Sequence, residues 1–334
     1  MALSRRVLCR LSACSLPRAG GAIRRSSATV PTDALIMSSI SRASVALIVL
    51  MLPLAGCAGV LDPRGPIGDA ERLILFDSVA IMLVIVIPVI LATLGFAFWF
   101  RASNDRAVYR PTWTFSGQLE LLVWAIPTLV ITFLGGIAWF GSHALDPYRA
   151  LPSETAPLEI EVVSLDWKWL FIYPNDGIAS VNQLVIPIST PVHFKLTSSG
   201  VMNSFFVPQL GSQIYTMAGM TSQLNLQADS AGDYAGLSAQ FSGDGFADMR
   251  FSVRALPSDL YQKWLTEAKA GDSALDMAAY AQLAKQSIVT KPMTYRAVDP
   301  HLFDAVVGET APAAPGPDEK PGGQSRSPAS NGGG

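Results

Sequence analysis

The 334-residue chain carries 24 basic and 26 acidic side chains, for a net charge of -2. Half of its residues are hydrophobic, 15% are charged against about 25% in soluble domains, and mean hydropathy is +0.33. This balance gives no electrostatic case for a nucleic-acid partner and dissolves part of the chain in lipid.

Residues 1–36 are rich in Arg, Ser and Ala and lack an apolar period, so they are set aside as an over-extended start. Met37 opens a tidier export signal: Arg42 is the positive flank, Ala43 to Pro53 the apolar run, and Leu54-Ala55-Gly56-Cys57 its end. That tetrapeptide resembles a bacterial lipobox, which implies cleavage after a 1–56 leader and lipidation of Cys57. The competing reading is an apolar stretch with a chance cysteine. One acyl chain alone anchors weakly.

A short segment, 57–73, precedes a hairpin expected over 74–142. Ser78–Phe100 is a 23-residue run without a charge, and Leu121–Ser142 is one of 22. Each reaches the roughly 20 residues that cross a hydrocarbon layer of ~30 Å. Trp99, Trp113, Trp124 and Trp139 fall near the ends of these runs, where amphipathic rings sit at headgroup depth. Pro88 and Pro127 are tolerated in such helices. Arg101, Arg106 and Arg110 lie between the spans, so that loop faces the cytoplasm and everything after Trp139 lies outside. Glu120 opens the second span, where a helix-start acid is also favoured by the dipole alone.

Beyond Pro157 the period changes to two. Leu158, Ile160 and Val162 alternate with Glu159 and Glu161; Val192, Phe194 and Leu196 alternate with His193 and Lys195. Leu224 and Leu226, then Met249, Phe251 and Val253, repeat the pattern between Gly-, Pro-, Asn- and Asp-bearing turns. Short alternating strands over 157–256 predict an antiparallel sandwich. Pro257-Ser258 starts a helix with Leu260, Trp264, Leu265 and Ala268 on one face. Met277, Tyr280, Leu283 and Ala284 mark a second helix within a 257–305 segment. Residues 306–334, poor in apolar bulk, are expected to be a disordered tail.

The three cysteines, Cys9, Cys14 and Cys57, all precede residue 58, and His143, His193 and His301 show no ligand spacing. The stretch Ser238 to Met249 nevertheless resembles the dinuclear-copper loop of haem-copper oxidase subunit II, written Cys-x3-Cys-x3-His-x2-Met. Its ligand places hold Ser238, Ser242, Phe246 and Met249, with Gln240 between the serines. The upstream His place, in Met202-Asn203-Ser204-Phe205-Phe206-Val207-Pro208, is Asn203. Trp167-Lys168-Trp169 resembles the family's aromatic Trp-x-Trp segment, and Glu120-x3-Trp124-x2-Pro127 its second-helix start. Soft or borderline donors hold such copper pairs, and hydroxyls, an amide and a phenyl ring do not replace them.

The resemblance therefore implies a membrane-anchored all-β protein: a two-helix transmembrane hairpin, a cupredoxin-like β-sandwich and a short α-helical C-terminal segment. It points to the quinol-oxidising branch of the family, in which electrons pass from ubiquinol to dioxygen with proton pumping. This chain would hold no cofactor, with haems and copper in subunit I and with subunits III and IV and membrane lipid as further partners. Glu120 would line a proton entrance, and the protein would sit in a bacterial inner membrane with its sandwich in the periplasm. Two rivals stand beside it: a copper-bearing cytochrome c oxidase subunit, which needs thiolates, and a cupredoxin-like lipoprotein acting as scaffold or assembly factor.

Overall fold

A computed structural model describes residues 59–108, 110–289 and 291–314. The expected leader, Cys57 and residues 315–334 lie outside the described residues. Two long helices come first, α1 (Pro66–Trp99) and α2 (Gly117–Ala144), both apolar enough to cross a membrane. Pro88 and Pro127 lie inside them. Large apolar side chains on both remain open to the surroundings, Leu91, Leu121 and Trp124 among them.

α1 starts 12 residues before the charge-free run, with Pro66 in its first turn and Asp69, Glu71, Arg72 and Asp77 along its extension. At 1.5 Å per residue its 34 residues span about 51 Å, some 20 Å more than a hydrocarbon layer. The excess docks on the β-domain that follows the two helices. Arg64 N donates to Gln209 O at 2.7 Å, Gly68 N to Leu210 O at 3.1 Å, and Asp229 N to Arg64 O at 2.8 Å. Gly65 is required here, since an added Cβ would lie 2.0 Å from Gln227 O. Past α2, Pro147 O accepts from both Asn225 N and Asn225 Nδ2, pinning the second helix exit to the same domain.

That domain is a sandwich of β1 (Leu158–Leu165), β2 (Lys168–Tyr173), β3 (Ile178–Val181), β4 (Gln183–Pro187), β5 (Val192–Ser198), β6 (Asn203–Phe206), β7 (Ile214–Thr216), β8 (Ser222–Leu226), β9 (Gly232–Ser238) and β10 (Arg250–Leu256). The C-terminal segment adds α3 (Ser258–Lys269), β11 (Ala274–Leu275), α4 (Met277–Leu283), β12 (Met293–Tyr295), β13 (Ala297–Val298) and α5 (Leu302–Val307). One sheet runs β12-β3-β2-β1-β5-β8 and the other β4-β10-β9-β6-β7.

The sheets are mixed, not antiparallel throughout. β1 pairs parallel with β5, Leu158 opposite Val192, and β10 pairs parallel with β4, Ser252 opposite Gln183. Alternation reports which face is buried and carries no information on strand direction, so the sequence pattern missed this. The crossing between sheets falls at Asn182, whose φ of 55° turns the chain from β3 into β4.

All six residues of β2 are buried. Trp169, Phe171 and Tyr173 face the inter-sheet core, while Leu170 and Ile172 face a second core with Tyr280, Leu283, Leu302, Phe303 and Val306. The C-terminal segment therefore covers the outside of the larger sheet, each buried aromatic or branched side chain contributing about 1.5–3 kcal/mol. Two expectations shift. The buried face of α3 is Tyr261, Leu265 and Ala268, leaving Leu260 exposed. The tail boundary at 306 falls inside α5, and order continues to Ala311 and Ala314, both buried. Ala314 N donates to Ser199 Oγ at 3.1 Å, a long-range bond that composition does not reveal.

Candidate functional site

The resemblance-derived positions meet at one end of the smaller sheet. β6 and β9 pair with Phe205 opposite Ser238, which brings Asn203 beside Ser238. The 239–249 loop folds back so that Met249 O accepts from Ser238 N at 3.2 Å. Asn203, Ser238, Ser242 and Met249 are all buried. Ser238 Oγ donates to Asn203 Oδ1, which also accepts from Ser204 N at 2.8 Å. Asn203 Nδ2 donates to Met249 Sδ at 3.1 Å, and Ser242 Oγ lies 3.8 Å from the same sulfur. Gln240 contributes its carbonyl, 3.3 Å from Ser238 Oγ. Phe246 turns aside and packs edge-on against Phe241.

Trp167 closes the pocket from the β1–β2 turn. Its backbone is left-handed at φ 64°, its indole Nε1 donates to Ser242 O at 3.1 Å, and its ring lies against Gly245. An added Cβ at Gly245 would sit 2.3 Å from that ring, so only glycine admits this approach. Trp169 is core, 5.4 Å from Phe205 and 5.7 Å from Phe251 between ring centroids.

This donor set does not fit a copper pair. The Asn203 carbonyl is committed to two donors, its NH2 group faces the thioether, and the remaining groups are hydroxyls and a ring. Among the described residues no three His, Cys, Asp or Glu side chains gather as a metal site. His143 Nδ1 lies 2.8 Å from Trp139 O and His193 Nδ1 2.9 Å from Asn225 Oδ1, both remote from the pocket in the fold, and His301 precedes α5. The pocket is a closed hydrogen-bond set. Met249 also belongs to the inter-sheet core, which gives it a packing role.

Glu120 lies in the first turn of α2, exposed, with its N–H bonded to Ser116 O at 3.0 Å. It lies more than 80 residues before Asn203 in the chain, on an element other than those that build the pocket. Cys57 lies outside the described residues.

Residue-type patterns missed a second buried polar cluster. Lys168 is fully buried within β2, and its Nζ donates to Lys285 O at 2.7 Å, Ser287 Oγ at 2.9 Å and Asp166 O at 3.1 Å. Burial lowers its pKa to about 8, with Asp166 opposing. Asn182 Nδ2 donates to Val289 O at 2.8 Å, and Tyr280 Oη to Ser199 Oγ at 2.8 Å. These polar groups register the C-terminal segment on the sandwich. A lysine in the middle of Trp-Lys-Trp-Leu-Phe-Ile-Tyr was the available signal.

Hairpin, sandwich and retained pocket outline together define a membrane-anchored protein of the haem-copper oxidase subunit II class. The family described as cytochrome c oxidase subunit II, periplasmic domain, matches residues 158–256, and the aromatic-rich motif of these oxidases matches 269–311. A ubiquinol oxidase subunit 2 from Acetobacter aceti is 48% identical over 262 residues, covering 77% of this chain and 85% of the relative. A cytochrome bo(3) ubiquinol oxidase subunit 2 from Pseudomonas aeruginosa is 47% identical over 257 residues, covering 77% and 78%. A quinol oxidase subunit 2 from Bacillus cereus is 37% identical over 258 residues, covering 76% and 88%. The chain belongs to the ubiquinol oxidase subunit 2 family.

Proposed function

We propose that this chain is the second subunit of a cytochrome bo(3)-type ubiquinol oxidase in an aerobic respiratory chain. The observation that carries the reading is the pocket: a subunit II scaffold whose ligand places are filled by groups bonded to one another. Ubiquinol is membrane-soluble, so an oxidase fed by it needs no periplasmic metal port. Haems, copper and the chemistry of dioxygen reduction then belong to subunit I, and subunits III and IV complete the assembly. The two apolar helices fit the inner membrane and the sandwich fits the periplasm.

Within that complex the chain's own tasks are mechanical and electrostatic. The hairpin supplies apolar surface for packing, and the docked extension of α1 holds the sandwich at a set height above the bilayer. Glu120, at the cytoplasmic edge of α2, is assigned to the mouth of a proton path, and Cys57 to an acyl anchor after removal of a 1–56 leader. Purification in mild detergent tests the reading. Co-elution with a haem-bearing subunit and ubiquinol oxidase activity are expected, whereas a stable haem-free monomer would favour a scaffold lipoprotein.

A further inference from the structure

The loop between the spans gathers charge and aromatic rings in one short stretch. Arg101, Arg106 and Arg110 are exposed, and among the described residues none of them forms an ion pair within the chain. Arg101 lies over the Phe98 ring, its guanidinium carbon 4.5 Å from the centroid. Asn104 braces the turn, its Nδ2 donating to Trp99 O at 2.6 Å and its Oδ1 accepting from Arg106 N at 3.2 Å. Trp99, Phe100, Trp113 and Phe115 are exposed on either side. Such rings settle at headgroup depth, so they hold the three guanidinium groups where lipid phosphates lie. Guanidinium binds phosphate in a two-point fork, and each basic residue near an anionic leaflet is worth about 1 kcal/mol.

A groove of about 580 Å³ lies on α2, lined among others by Leu121, Trp124, Ala125, Thr128 and Thr132. Leu121 is the fifth residue of the helix, so the groove begins about 6 Å below the loop along the axis. Its hydroxyls are already used. Thr128 Oγ1 donates to Trp124 O and Thr132 Oγ1 to Thr128 O, both at 2.8 Å. The groove therefore offers a ligand mostly hydrocarbon contact, with the Trp124 indole N–H as a polar edge. A quinone ring needs donors to both of its carbonyls, and the threonine hydroxyls are spent, whereas an acyl chain needs none.

Cations at headgroup depth above an apolar slot match one kind of ligand. We infer that this hairpin holds an anionic phospholipid, its phosphate on Arg101, Arg106 and Arg110 and an acyl chain in the α2 groove. The inference goes beyond the oxidase assignment and rests on the cytoplasmic placement of the loop.

The test is native mass spectrometry and lipid extraction of the intact complex, isolated in mild detergent from membranes containing phosphatidylglycerol and phosphatidylethanolamine. Wild type is expected to retain about one phosphatidylglycerol per complex in preference to the zwitterionic lipid. The triple variant Arg101→Gln, Arg106→Gln, Arg110→Gln and the groove-filling Ala125→Phe should each lower that content about tenfold or more. A triple Arg→Lys variant keeps the orienting charge but loses the fork, and should retain an intermediate amount. If the Gln variant does not assemble, Ala125→Phe and the Lys variant decide. Unchanged phosphatidylglycerol in all of them overturns the inference, as does loss of a protein subunit with lipid retained, or loss of quinone in its place. Protease access to the loop from the periplasmic side would instead show that the topology had failed.

Discussion

Replacing Lys168 with methionine separates packing from charge at the join between sandwich and C-terminal segment. The side chains are similar in volume, so the cavity term is small. The ammonium donates to Lys285 O, Ser287 Oγ and Asp166 O, and methionine leaves these buried acceptors unpaired at about 1–3 kcal/mol each. Against this stands the cost of burying the charge. A pKa lowered from 10.5 to about 8 corresponds to roughly 3 kcal/mol. At pH 7 the net effect is a loss of up to about 6 kcal/mol, about 3 at the midpoint of these costs, concentrated in residues 277–289.

The pH dependence has a definite sign. The folded protein sheds this proton near pH 8 and the unfolded chain near 10.5, so the unfolded state binds more protons between them. Wild-type stability should therefore gain from Lys168 as pH rises from about 8 to 10.5, and Lys168→Met should lack that gain. Amide exchange across residues 277–289 in the intact complex, compared between the two proteins at pH 7 and 9.5, reads the difference. An identical pH trend in both, or protection undiminished in the variant at pH 7, would refute the reasoning.

Glu161 titrates in the opposite direction. Its pKa is raised to about 7, first by burial and then by Asp304 and Glu159, with Lys195 opposing. The folded state keeps the proton through a window from about 4.5 to 7 in which the unfolded chain has lost it, so stability falls as pH rises through that window. Glu161→Gln should flatten the fall and gain about 1–3 kcal/mol at pH 7.5, measured by thermal unfolding at a series of pH values. For Glu120→Gln, slower ubiquinol oxidation with reduced proton pumping is expected in reconstituted vesicles; wild-type rates would return this acid to a helix-start role. Cys57→Ser should abolish the acyl mass on the mature chain, which intact-protein mass spectrometry detects directly.

Much of this architecture is legible in the residues. Uncharged runs mark the spans, and period-two stretches mark β1, β5, β8 and β10. The serines, Asn203 and Met249 keep the spacing of a metal loop, and folding brings them together as hydrogen-bond partners. What stayed illegible depended on distant partners. Leu170 and Ile172 look like one face of an ordinary strand until Tyr280 and Leu302, more than 100 residues on, cover them. The parallel pairing of β1 with β5 leaves no mark in either strand. Asp69, Glu71 and Arg72 hid the first turns of α1, because charge reads as the end of a span and here marks its docking on the domain. Ala311 and Ala314 belong to a stretch whose composition is that of a linker, yet Ala311 joins the second core and a small side chain at 314 suits its approach to Gly200.

Copper binding by the purified chain tests the converted pocket most directly. After incubation with excess Cu(II) and desalting, the chain should retain far less than one copper and show no near-infrared charge-transfer band. Two coppers per chain with such a band would contradict the account.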